Sequence, residues 1–241
     1  MDKRKAPLQL VIDAAMLGAV KDIYTCVPGY VIAFNPATQR AQVQIGIQRV
    51  QLDGTTFDPP PIVDVPVSFP GDDYVLEFQI DPGCEGSIYF SQRCIDGWKQ
   101  TGGIADNPVA RFHHPQDAHF VPGIRSLGNV IPAFSNNGVR IRDKSGNRHV
   151  WIKNDGALVV KNTNATTTYG SDGSVMTTNP GGHFTLLTNG NVDINGVIIT
   201  PDGHMSLPAS GGLQLANGVS AESHRHTGVE SGGDTSGGPT N

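Results

Sequence analysis

A unit of turn followed by strand recurs in the C-terminal half of the chain. Gly156, Gly173 and Gly190 each follow an Asp or Asn and are spaced by 17 residues, and Gly203 comes 13 residues later. Each of these dipeptides is a turn signal that leads into a short run of strand-forming residues. Units that recur at so short a period are typical of stacked β architecture, in which each unit packs on its neighbours.

The segment that carries the later repeats is poor in residues that could fill a core. Residues 162–241 contain sixteen Val, Ile, Leu, Met and Phe side chains plus Tyr169. Ordering the backbone opposes folding by on the order of 1–2 kcal/mol per residue, and so few apolar side chains cannot offset this within one chain. Val192 and Ile194 have the spacing of a strand, however, not of a polar linker. We therefore predict an obligate homo-oligomer whose copies share a core and pair their strand edges.

The remainder of the chain predicts an all-β protein with one short N-terminal helix. Glycine and proline account for 47 of the 241 residues, which favours short strands joined by turns over a helical bundle. Residues 8–21 are rich in Leu and Ala and contain no proline, as expected of a helix. The β-rich runs that follow predict a small barrel of the OB type, and they are residues 24–35, 40–50, 62–67, 74–80 and 86–92. The predicted divisions are a helical segment (1–22), an OB-fold domain (23–104), a connecting neck (105–150), a β-helix (151–216) and a metal-binding tip (217–241).

Charge and composition exclude several classes of protein. Residues 162–241 contain one basic residue, Arg225, against six acidic ones, so we expect no nucleic-acid role for this half. The basic residues between 140 and 161 are interpreted as a solvated face. No apolar run approaches the roughly 20 residues that a membrane-spanning helix needs, and the N-terminus lacks the pattern of a secretion signal. Three cysteines are too few for a disulfide framework and are interpreted as buried thiols, although a pairing of two of them stays open.

A histidine pair near the C-terminus is the candidate metal site. In an extended chain His224 and His226 project to the same side, while Arg225 projects to the other. Two imidazoles hold a transition metal weakly, but three chains about a threefold axis supply six, which complete an octahedral shell around iron or a related ion. This number of ligands favours a trimer over a dimer.

The sequence contains no signature of catalysis. A nucleophile elbow, a zinc-protease helix, a phosphate-binding loop and a cysteine pair at zinc spacing are all missing, so we expect the protein not to be an enzyme. His113, His114 and His119 form a second histidine cluster. Adjacent histidines on an extended chain point to opposite sides, which disfavours a metal site there.

With helix, small barrel, repeat and histidine tip in this order, the chain resembles the membrane-piercing central spike proteins of contractile-tailed bacteriophages. The residues that carry the resemblance are 74–98, similar to the end of the family's N-terminal OB domain, and the tip His224-Arg-His-Thr-Gly-Val-Glu-Ser-Gly-Gly. The repeat between them is similar to the family only in its general pattern of turns and strands, not in fixed residues.

The resemblance implies a homotrimer whose OB domains surround an intertwined trimeric β-helix that tapers to a metal-bound tip. It implies one iron ion per trimer, held by His224 and His226 of three chains, with Arg225 pointing outward. The spike would be made in the host cytoplasm and sit in the virion at the centre of the tail baseplate. There residues 8–21 would meet the hub or tail tube, and sheath contraction would drive the spike through the host outer membrane without catalysis.

Two alternatives stay open at this point. The first is a trimeric β-helical tailspike enzyme that degrades host surface polysaccharide, although Tyr169 and Phe184 are the only aromatic residues after residue 161. The second is the equivalent spike of a tailocin or secretion system, which shares the same physical features.

Overall fold

The computed structural model describes residues 7–21, 23–51, 53–214 and 220–221. The described chain is mostly β, with two short α-helices, which confirms the predicted all-β class. It divides into two compact units, residues 1–130 and residues 131–241. The finer division into five segments stays a prediction.

Unit 1, residues 1–130, contains both helices and the first seven strands. The elements are α1 (Pro7–Lys21), β1 (Cys26–Asn35), β2 (Arg40–Ile45), β3 (Arg49–Val50), β4 (Thr56–Phe57), β5 (Ile62–Pro66), β6 (Glu85–Phe90), α2 (Asp96–Thr101) and β7 (Ala118–Pro122). Two 3₁₀ turns lie at Pro115–Asp117 and Leu127–Asn129, and β3 and β4 form a separate small hairpin.

Five strands of unit 1 form one curled sheet in the order β5-β2-β1-β6-β7, with all neighbours antiparallel. A parallel bridge joins Val67, just after β5, to Phe120 of β7, and the Ser68 N–H donates to the Phe120 carbonyl at 2.9 Å. The two edges of the sheet therefore meet. This half-barrel is consistent with the predicted OB-like domain.

The interior of the half-barrel is filled from every strand of the sheet. Val31, Val43, Val65, Ile88 and Phe120 are completely buried. In β2 every second residue is buried, as expected of a strand with one face toward a core. Unit 1 thus has a core of its own.

One strand expected from the sequence is absent and one unexpected strand is present. The sequence predicts a strand over 74–80, but the one β pairing of the described residues there is the bridge between Gly71 and Val75, so this prediction is wrong. The fifth strand of the sheet is β7, whose residues lie within the predicted connecting neck (105–150). Its residues Ala118 and Phe120 complete the core.

The three thiols are free, as expected, but they are not equally buried. Cys94 is buried, Cys84 is half-buried and Cys26 is exposed. The interpretation of all three as buried thiols is therefore correct only for Cys94. Cys84 and Cys94 do not pair.

Helix α1 confirms the predicted N-terminal helix. Pro7 lies in its first turn, where a missing backbone N–H is tolerated, and no proline interrupts the helix up to Lys21. The helix has no buried residue, and the side chains of Leu8, Val11 and Met16 are exposed. None of the helices described in the structure is long and apolar enough to span a membrane.

Unit 2, residues 131–241, contains a nine-stranded antiparallel sheet that we call the ribbon. Its strands are β8 (Val139–Arg142), β9 (His149–Ile152), β10 (Leu158–Lys161), β11 (Thr166–Tyr169), β12 (Val175–Asn179), β13 (Gly182–Leu186), β14 (Val192–Ile194), β15 (Val197–Ile199) and β16 (Met205–Ser206). The spatial order is the chain order, so each strand pairs with the strands that precede and follow it. The turns at Gly156, Gly173, Gly190 and Gly203, where φ lies between 86° and 89°, are the periodic turns of the sequence.

Candidate functional site

The ribbon presents one face that is almost entirely apolar. Residues paired across antiparallel strands project to the same side of a sheet, so the register defines rows of side chains that cross the ribbon. One row contains an apolar residue from every strand: Val139, Ile152, Leu158, Tyr169, Val175, Leu186, Val192, Ile199 and Met205. A second row on the same face is Ile141, Val150, Val160, Thr167, Thr177, Phe184, Ile194 and Val197. We call these two rows the apolar face.

Much of the apolar face is exposed in the single chain. Val139 is 68% exposed and Ile152 is 58% exposed, and Phe184 and Met205 are exposed as well. Ala157 is the one apolar residue of unit 2 that counts as buried among those the structure describes. A contiguous exposed apolar surface of this kind marks a contact with another molecule.

The opposite side of the ribbon, the polar face, has a different composition. Its rows are Arg140, Trp151, Val159, Thr168, Met176, Thr185, Asp193, Ile198 and Ser206, and Arg142, His149, Lys161, Thr166, Thr178 and His183. The Lys and Arg side chains of these rows all lie on β8 to β10, and threonines follow them. The His183 imidazole lies 3.1 Å from the Asp193 carboxylate across β13 and β14.

Carboxylates close the turns at the ribbon edges. The Ser174 hydroxyl and N–H donate to Asp172 at 2.7 and 2.9 Å, and these hydrogen bonds lower the pKa of Asp172. The backbone N–H of Ala157 likewise lowers the pKa of Asp155. These acids fix turn geometry, as the sequence indicates for Asp-Gly turns.

The predicted metal ligands, His224 and His226, lie outside the described residues, so their role stays a prediction. The last described contact before them is an antiparallel bridge between Gln214 and Ser220, beside a hydrogen bond from the Ala221 N–H to the Leu213 carbonyl at 2.8 Å.

Unit 1 contains an ion-pair network that sequence reasoning missed. Cys94, Asp96 and Asp117 bring their side-chain donor atoms within 4.8 Å of one another, an arrangement that could in principle hold a metal ion. The Arg111 guanidinium contacts all three: Nη2 lies 2.6 Å from Asp96 Oδ2, 2.8 Å from Asp117 Oδ1 and 3.2 Å from Cys94 Sγ. The cation that balances these groups is thus already supplied by the protein.

The electrostatics of this network centre on Asp117, whose side chain is fully buried. Burial acts to raise the pKa of Asp117, but hydrogen bonds from Arg111 and from the Ile95 N–H outweigh it and lower the pKa. The hydrogen bonds that Arg111 donates to Asp117, and then to Asp96, raise the pKa of Arg111. The network ties the residues before α2 to those before β7.

The other histidine cluster does not form a site. His113 Nδ1 lies 3.0 Å from the Tyr24 carbonyl, and His114 Nδ1 accepts from the Gln116 N–H at 3.2 Å. His119 stacks on Tyr89 at 5.4 Å between ring centroids, and burial lowers the pKa of His119. Each of these imidazoles thus has a partner of its own in the structure.

A cleft of about 600 Å³ in unit 1 is lined by charges that are already paired. The Lys99 ammonium lies 3.6 Å from the Asp64 carboxylate and donates to the Gln116 carbonyl at 3.0 Å. Arg40 lies 3.8 Å from the same carboxylate. These contacts hold β5 beside α2.

Comparison with known families gives two matches, one in each unit. Residues 27–123 match the family model described as the phage protein Gp138 N-terminal domain, and this range spans the five-stranded sheet from β1 to β7. Residues 218–240 match the GpV Apex motif, and this range includes both predicted histidine ligands. Together the two matches support a phage spike protein. No curated protein matches the chain.

The two family matches confirm the resemblance drawn from the sequence and imply a phage tail or baseplate context. The ribbon lies between the two matched ranges. Its apolar face is signalled in the sequence by strict alternation, as in Val139-Arg-Ile-Arg142 and His149-Val-Trp-Ile152. Sequence reasoning placed those residues in the neck and at the start of the repeat and did not recognise the shared face.

Proposed function

We propose that the protein is a structural, non-enzymatic spike that punctures the host envelope. In this proposal three copies form a homotrimer at the centre of the tail baseplate, and sheath contraction drives the trimer through the host outer membrane. An iron ion, held by His224 and His226 of each chain, closes the apex.

The observation that carries the proposal is the apolar face of the ribbon. Fifteen of its seventeen residues are apolar, counting Tyr169, and a single chain leaves much of this surface in water. Three ribbons that turn this face toward a common axis bury all of it and leave the polar faces outside. The same arrangement supplies the apolar partners that residues 162–241 lack within one chain.

The ribbon also suits a part that transmits force. Every strand is hydrogen-bonded to its chain neighbours, so load is shared among many backbone hydrogen bonds. Such an assembly resists unfolding through a slow unfolding rate as well as through equilibrium stability. The energy of penetration comes from the contracting sheath, so the chain needs no nucleotide or substrate.

The donor set at the apex fits iron. Each chain contributes two imidazoles at positions i and i+2, within the range that matches the apex motif. Imidazole nitrogens are common ligands of first-row metals, and six of them satisfy octahedral coordination. The ion would gather three chain ends at the point where fraying would otherwise begin.

The solution mass is the principal test of this proposal. We expect about 76 kDa, three times the 25.5 kDa chain. A well-folded monomer, or a dimer that buries the same face as a two-layer sandwich, would contradict it.

Metal analysis tests the apex. We expect one iron per three chains in the wild type and none in the variant His224→Ala/His226→Ala, which should remain trimeric because the ribbon supplies the association. His204→Ala, in a ribbon turn, is the matched control and should keep its iron. Iron retained by the double variant would refute the ligand assignment.

Incubation with host lipopolysaccharide tests the absence of catalysis. The glycan chains should keep their length. Shortened chains would favour the tailspike depolymerase instead.

A further inference from the structure

The polar face of the ribbon carries its lysines and arginines at one end only. Residues 139–161 contain six basic residues against two acidic ones, whereas residues 162–241 have an excess of five negative charges. The two ends of unit 2 therefore carry opposite charge along the chain.

Three of the basic residues share one side of the first three strands. Arg142 of β8 and Lys161 of β10 both flank His149 of β9 in a single cross-strand row. Arg140 lies two residues before Arg142 on the same face and is paired with Trp151 of β9. We call Arg140, Arg142, His149, Trp151 and Lys161 the cationic patch.

The guanidinium and ammonium charges of the patch are not balanced by carboxylates within the described part of the chain. Arg140 and Arg142 both donate to the backbone carbonyl of Ala133, at 3.2 Å each. By contrast, the neighbouring turn cations Arg148 and Lys153 are paired, with Asp143 at 3.1 Å and Asp155 at 3.2 Å. The patch is therefore pre-organised by backbone contacts while its charge remains available to an external anion.

The indole ring of Trp151 lies among these positively charged side chains. The Arg140 guanidinium stands 4.8 Å from the centre of the Trp151 ring, and the Lys153 ammonium stands 5.6 Å from it. Trp and Arg side chains combine an apolar body with a polar end, which suits the boundary between water and lipid.

We infer that the cationic patch binds the phosphate headgroups of a lipid surface. This inference rests on the proposed function, because the polar face points outward only if the apolar face is buried in a trimer. The patch covers three strands, about 10 Å in the hydrogen-bonding direction, which is close to the roughly 5–8 Å depth of a headgroup layer. Lys and Arg side chains near an anionic leaflet are attracted to it.

The charge distribution favours a lipid surface over a nucleic acid. A long polyanion lying along the ribbon would also meet Asp172, Asp193 and Asp202, which repel phosphate. A headgroup layer crosses the ribbon at one level and meets the patch alone. The acidic end would pass an anionic leaflet without adhering, and the patch would engage it once the spike is inserted to β10.

Co-sedimentation of the full chain with vesicles tests this inference. The vesicles are equimolar phosphatidylcholine and phosphatidylglycerol, with phosphatidylcholine alone as the neutral control and a short DNA duplex as a soluble polyanion. We expect binding to the anionic vesicles at low salt, weaker binding to DNA and none to the neutral vesicles. Arg140→Gln/Arg142→Gln/Lys161→Gln should weaken vesicle binding roughly 100-fold.

The matched control removes three positive charges from unit 1: Lys21→Gln/Arg93→Gln/Arg125→Gln. It should bind the anionic vesicles as the wild type does. Equal weakening by the two variants, no wild-type binding to anionic vesicles, or DNA binding as tight as vesicle binding would each overturn the inference. The solution mass of every variant is measured in parallel, because a trimer that fails to bind refutes only this inference, whereas a monomer refutes the proposed function.

Discussion

The two units of the spike reach stability by different routes. The half-barrel of unit 1 curls until its edges meet and encloses completely buried residues such as Val43, Ile88 and Phe120. The ribbon of unit 2 is a single layer whose apolar residues stay largely in water. Closed curvature lets one chain bury its own apolar surface, whereas an open layer leaves that surface exposed, and in the proposed trimer further copies would cover it.

The largest expected effect uses two neighbouring residues on opposite faces of β10. Leu158→Asp places a charge on the apolar face, where burial without a partner is strongly unfavourable, and should abolish the trimer. Val159→Asp places the same charge on the polar face and should leave the trimer intact. Light scattering coupled to size exclusion gives both masses. If the two variants assemble equally well, the ribbon is not the shared core.

A substitution that creates a cavity in unit 1 tests whether the stability of the half-barrel is independent of trimer assembly. Phe120→Ala removes a completely buried ring and should lower the unfolding free energy of unit 1 by about 3–5 kcal/mol. In a Trp151→Phe background the fluorescence of Trp98 reports on unit 1 alone during urea unfolding. The trimer mass should not change. Dissociation of the trimer would show that the core of unit 1 also supports assembly.

The Arg111 network gives a smaller effect with a defined pH dependence. Asp117→Asn should destabilise unit 1 by about 2–3 kcal/mol at neutral pH, because it weakens a charged hydrogen-bond pair. The folded pKa of Asp117 is lowered, so its contribution is present above the unfolded value of about 3.9 and is lost as pH falls through the folded pKa. The difference in unfolding free energy between wild type and variant should therefore become smaller at acid pH. A gap independent of pH would contradict this.

The smallest effect is expected at the turns of the ribbon. Asp172→Ala removes the acceptor for Ser174 and should lower the melting temperature slightly. Because the folded pKa of Asp172 is lowered, the decrease in melting temperature should be present near neutral pH and disappear at acid pH. Ser171→Ala, beside it, makes no such contact in the described structure and is the control. An equal decrease in melting temperature in both variants would show that the hydrogen bonds to Asp172 are not the cause.

The sequence predicted elements whose signals are local. The helix at Pro7–Lys21 follows from a proline-free run of Leu and Ala, and β1, β2 and β6 follow from β-rich runs bounded by turn dipeptides. In the same way, the recurrent Asp-Gly and Asn-Gly turns predicted that short strands and turns alternate along the ribbon. The spacing of the tip histidines is an equally local signal, but their role as metal ligands stays a prediction.

Features that depend on distant pairing could not be predicted. Residues 74–80 have the composition of a strand, but the half-barrel is closed by the bridge from Val67 to Phe120, so no sheet edge remains for them. Strand β7 has only five residues and ends at Pro122, yet it has an open edge of β6 to pair with. Arg111 and Asp117 belong to no motif, since their contact with Cys94 and Asp96 exists only in three dimensions.

Each strand of the ribbon pairs only with the strands before and after it in the chain. The length of the ribbon can therefore change by whole hairpins. Removing or adding one complete hairpin preserves strand direction and keeps each row of side chains on its own side. Such a change alters the reach of the spike by two interstrand spacings, about 10 Å. In the proposed envelope-piercing trimer, insertions and deletions of whole hairpins would match the length of the ribbon to cell envelopes of different thickness.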